Sequence, residues 1–85
     1  MSYEEGLDAL YRVRDVIASN NLPLMKQRKF NGIFNAMEMQ IEDDDFSLEA
    51  VDYLGQAVLS VAKRYQLDSN SVEGALRDFR RILEA

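Results

Sequence analysis

Apolar side chains recur along this chain in steps of three and four residues, and no stretch alternates with period two. The first stripe runs through Gly6, Ala9, Leu10, Val13, Val16 and Ile17, a spacing that gathers side chains on one face of an α-helix. Ser2 followed by Glu5 makes a capping box ahead of it. "SNNLP" closes it, with asparagines suited to a left-handed cap and a proline just beyond. The pattern predicts a helix over 3–19.

The second stripe is Phe30, Ile33, Phe34, Met37 and Ile41, and Pro23 can open its helix in the first turn. Asn31-Gly32 is a pair that ordinarily signals a turn, yet the stripe crosses it without losing phase, so one helix over 23–41 is expected. Ser47 is a good N-cap for a third helix over 48–66, with Phe46 and Val51 as a hydrophobic staple. Its stripe is Val51, Leu54, Val58, Val61, Ala62 and Tyr65. Asp68 caps a fourth over 69–84, with Leu67 and Val72 as staple and Val72, Ala75, Leu76, Phe79, Ile82 and Leu83 as stripe. The expectation is an all-α compact bundle of four helices in a single domain, 1–85, the last two helices joined by a tight turn.

Composition agrees with a folded domain: 47% of the 85 residues are apolar and 29% charged. It also narrows the chemistry. The chain has neither histidine nor cysteine, which removes the usual general base near neutral pH, the commonest zinc ligands and the cysteine nucleophile. The acidic run Asp43, Asp44, Asp45 fails as a calcium loop in both registers. Counted from Asp43, Leu48 and Leu54 occupy the glycine and bidentate-glutamate positions, and counted from Asp45, Ala50 and Gln56 do. Four scattered glycines form no phosphate loop. The start "MSYEEGLDAL" is acidic, and no apolar run reaches the ~18 residues a membrane span needs. A cytoplasmic, non-enzymatic protein is expected, with no metal, cofactor, small-molecule substrate or membrane partner.

Two features point to binding. The first is "AKRYQLDSNSVEGAL", residues 62–76, where Ala62, Gln66 and Val72 have the spacing of a DNA-binding helix-turn-helix. Asp68, Ser69, Asn70, Glu73, Gly74 and Arg77 would then face the groove, with Asn70 suited to adenine and Arg77 to guanine. The DNA-binding set is Asn70, Gly74, Arg77 and Arg81. Against it, the net charge is −5, and the turn carries Gln66 where glycine is customary. Phosphate contacts, which should dominate affinity, have little basic surface to draw on. A regulator reading DNA through residues 56–84 is therefore the alternative, and nucleic acid ranks below protein as a partner.

The second feature is the charge order along helix 2. Helices favour acids in the first turn and bases in the last. Here Lys26, Arg28 and Lys29 stand at the start, and Glu38, Glu42, Asp43, Asp44 and Asp45 stand at the end. Two copies laid head to tail would set the basic end of each against the acidic end of the other. A stripe of Met25, Phe30, Ile33, Phe34 and Met37 would lie between them, unless it is the monomer's own core. The acidic stretch, with Glu49 and Asp52, would also suit a basic partner surface. The function expected is a small protein-interaction or regulatory module. Its protein-binding residues would be Lys26, Arg28, Lys29, Phe30, Phe34, Met37, Asp43, Asp44 and Asp45, and its partner another protein or a second copy.

Overall fold

A computed structural model describes residues 2–43 and 46–85. Four α-helices follow one another: α1 (Tyr3–Ala18), α2 (Leu24–Glu42), α3 (Leu48–Arg64) and α4 (Ser69–Glu84). Three of them start on side-chain caps. The Ser2 hydroxyl accepts from the Glu5 amide, Ser47 from that of Ala50, and the Asp68 carboxylate from those of Asn70 and Ser71. α2 starts one residue later than expected, because Pro23 is extended (ψ 151°) and serves as the N-cap itself, with no side-chain hydrogen bond. α2 runs unbroken through Asn31-Gly32.

A left-handed residue follows the end of each of α1 and α3. Asn21 has φ 53° and Gln66 φ 60°. At the second site the Leu67 amide donates to the Ala62 carbonyl (2.9 Å) and the Gln66 amide to that of Lys63 (3.1 Å). These two bonds define a Schellman cap, which stops α3 at Arg64, two residues short of the expected end. An L-residue in this conformation costs about 1–2 kcal/mol. The cap forms because the chain must reverse here to bring α4 back along α3.

Each helix packs against its chain neighbours, and α4 closes the ring against α1. The neighbours are antiparallel. Tyr3 at the start of α1 bonds Glu42 at the end of α2, Lys26 at the start of α2 lies over Tyr65 at the end of α3, and Asp52 early in α3 pairs with Arg80 late in α4. The long dimension, 34 Å, barely exceeds the ~28 Å of a 19-residue helix, so the helices share one axis.

That geometry bears on residues 62–76. Asp52 and Arg80 each lie about a dozen residues from the turn, or about 18 Å along a helix. Helices crossing at the roughly 90–120° of a helix-turn-helix would by then stand about 20 Å apart, beyond the reach of the two side chains. Yet Arg80 Nε is 2.7 Å from Asp52 Oδ1. α3 and α4 form an antiparallel hairpin, and the open corner the spacing also allows is not present.

The core contains Leu10 and Val13 from α1, Phe30, Phe34 and Met37 from α2, Val58 and Ala62 from α3, and Val72 and Phe79 from α4. Phe30 stacks on Phe34 with ring centroids 6.3 Å apart and meets Tyr65 edge-on at 5.9 Å. This corrects one sequence expectation. Phe30 (1% exposed), Phe34 (4%) and Met37 (0%) are buried in the monomer's own core and cannot form the exposed stripe of a seam between two α2 helices. α1 and α3 cover that side of α2. Among the described residues no helix is long and apolar enough to cross a membrane.

Candidate functional site

With the aromatic side of α2 turned inward, the other side becomes the surface in question. At 100° per residue, Phe30, Phe34, Met37 and Ile41 face the core, while Met25, Arg28, Gly32, Asn35 and Met39 face away and are exposed. Met25 is 80% exposed and Met39 68%, each seven residues from Gly32; Leu24 at the helix start is 64% exposed. Large apolar side chains standing this far into water are informative when they share one face. Between them the face is low. Ala36 is half-buried, and a Cβ built on Gly32 would meet nothing within 4 Å. Alanine would fit there and favour the helix by about 0.8–1 kcal/mol, so glycine leaves a shallow notch at a cost in helix propensity.

The charge order read from the sequence is present in space. No acid stands in the first turn of α2 and no base in its last, and α2 alone of the four helices lacks a side-chain N-cap. Part of the mismatch is relieved within the monomer. Lys26 Nζ sits 4.8 Å from the centre of the Tyr65 ring, a cation–π contact. The Tyr11 hydroxyl donates to Glu38 (3.0 Å) and the Tyr3 hydroxyl to Glu42 (3.2 Å). The bond to Glu38 is the main cause that raises the Tyr11 pKa. Partial desolvation, then the bond to Glu42, raises that of Tyr3. Arg28 and Lys29 are exposed and make no ion pair or hydrogen bond among the described residues. Asp43 is exposed just past the helix; Asp44 and Asp45 lie outside the described residues. Asp52, counted with the acidic stretch in the sequence, is engaged by Arg80, which also pairs with Glu84.

The residues singled out for DNA, Asn70, Gly74, Arg77 and Arg81, share one outward face of α4, following its steps of four, three and four. The two arginines are opposed by acids of the same helix: Arg77 by Glu73 and Arg81 by Asp78, both at 3.8 Å and largely exposed. The Asp68 carboxylate is occupied as a cap, and its pKa is lowered chiefly by the Ser71 hydroxyl, then by the Ser71 amide.

A groove of about 500 Å³ lies between α1 and α2, its floor made by Ile17, Phe30 and Phe34 and its rim by Arg14, Gln27 and Asn31. The Arg14 guanidinium lies 5.4 Å from the Tyr11 ring centre. This lining offers hydrogen bonds but holds a single carboxylate, Asp15. No group of three or more acids among the described residues is placed to hold a metal ion.

Sequence reasoning had Met25 but placed it with Phe30, and it missed Gly32, Ala36 and Met39 as one face. The available signal was the seven-residue step from Met25 to Gly32 to Met39. Five residues separate Met25 from Phe30, about 140° around a helix, so the two were never on one side. Compared with known proteins, the chain matches no family model, no characterised relative and no solved structure.

Proposed function

We propose that this chain is a non-enzymatic protein-interaction module, acting in the cytoplasm through the outward face of α2. The observation that carries the proposal is the pair of exposed methionines, Met25 and Met39, set on the helix whose basic start and acidic end run against its own dipole. Methionine is favoured in interface cores because it is unbranched and repacks readily. Flanking charges of both signs supply orientation.

The test is site-specific photocrosslinking in cells, with a photoreactive amino acid replacing Met39 in one variant and Arg77 in another. Discrete adducts at position 39 and none at 77 are expected. Adducts at 77 alone, or none at either position, would refute the assignment of the face.

A further inference from the structure

The same face carries a more specific proposal, which rests on the interaction role just given. We propose that its occupant is a second copy of the chain, with the two α2 helices antiparallel and the two-fold axis passing between Gly32 and Ala36.

The spacing supports this packing. Met25, Lys29, Gly32, Ala36, Met39 and Asp43 follow one another at steps of four, three, four, three and four, a seam that meets its own reverse. About that axis Gly32 lies opposite the partner's Ala36, Lys29 opposite the partner's Met39 and Met25 opposite the partner's Asp43. The two small residues at the crossing let the backbones approach. The lysine stem lies along the apolar methionine while its charge continues toward the acidic end, as long basic side chains commonly do.

Charge selects the direction. Arg28 and Lys29, which have no partner within the monomer among the described residues, lie beside the seam toward the acidic end of the other copy, where Met39 and Asp43 stand, while Lys26, Glu38 and Glu42 are held within each monomer by Tyr65, Tyr11 and Tyr3. A parallel pair would set like charges together. A single pair of 19-residue helices makes a small contact, at the low end of specific interfaces, so the dimer should be weak and salt-sensitive.

Sedimentation velocity at about 200 μM protein, in about 20 mM and then about 500 mM salt, reads the association directly; the expected result is a dimer at low salt that largely dissociates at high salt. Gly32→Leu has open space in the monomer and gains helix propensity, so it should melt no lower than the wild type while weakening the dimer at least tenfold. The chain has no cysteine, so the double variant Lys29→Cys/Met39→Cys should oxidise to a disulfide-linked dimer much faster than either single variant. Monomer at both salts with no such disulfide would overturn the proposal, as would a dimer that persists in Gly32→Leu. Photocrosslinking keeps the two readings apart. An adduct at position 39 to a different protein leaves the interaction role standing and removes the self-partner.

Discussion

Replacing Gln66 with glycine should make this protein more stable. Gln66 sits at φ 60° in the cap that ends α3, and its side chain is exposed and makes no hydrogen bond among the described residues, so the change removes no contact. Glycine removes the roughly 1–2 kcal/mol cost of a left-handed L-residue. It gives back about 0.5–1 kcal/mol through the greater freedom of the unfolded chain. At the midpoints of these ranges the net gain is about 0.75 kcal/mol. With about 2.1 cal/mol/K of unfolding entropy per residue, the gain for a chain of this length is a rise of about 3–6 °C in Tm. Thermal unfolding followed by helical circular dichroism, with Gln66→Ala as the control for side-chain loss, measures it. If Gln66→Gly melts at or below the wild-type temperature, the left-handed cap is not how α3 ends.

Phe30→Ala should cost about 3–5 kcal/mol, read as a lowered urea midpoint; a loss under about 1 kcal/mol would place Phe30 outside the core. Ser47→Ala should cost about 1 kcal/mol by removing the cap on the Ala50 amide. The Asp68 carboxyl has a folded pKa below its unfolded value, so its contribution is present above the unfolded pKa near 4 and is lost as pH falls through the folded one. Tm should therefore drop on acidification below about pH 4, and Asp68→Asn should flatten that drop. A labelled mixed-sequence DNA duplex should show no anisotropy change with tens of micromolar protein at about 50 mM salt; binding that collapses near 200 mM would restore the DNA alternative.

The parts of this fold that are local were legible in the sequence. Ser2, Ser47 and Asp68 each accept the amides their positions imply, because capping depends on three or four consecutive residues. The left-handed turn at Gln66 was not legible, since the demand for it comes from α4 returning along α3 and not from glutamine. The spacing of Ala62, Gln66 and Val72 is shared by an open corner and a closed hairpin. Only contacts a dozen residues away, such as Asp52 with Arg80, separate them. On α2 the charge order could be read at once, but the apolar residues could not be assigned to a side. Met25 and Met39 are as hydrophobic as Met37, and what distinguishes them is which side of the helix α1 and α3 cover.

The closing of α4 onto α1 has a consequence for how the chain folds. The two helices farthest apart in sequence lie side by side, and the antiparallel ring sets the start of α1 and the end of α4 at one end of the bundle. That seam requires the largest loop closure in the molecule, and loop entropy must be lost before the buried contacts of Leu10, Val13, Val72 and Phe79 offset it. Such a contact ties the outermost elements into one cooperative unit and raises the contact order above that of two independent hairpins, α1–α2 and α3–α4. A circular permutant that links Ala85 to Met1 and reopens the chain between α2 and α3 makes the closing seam a local hairpin. It should keep the same bundle while changing the order in which its walls assemble.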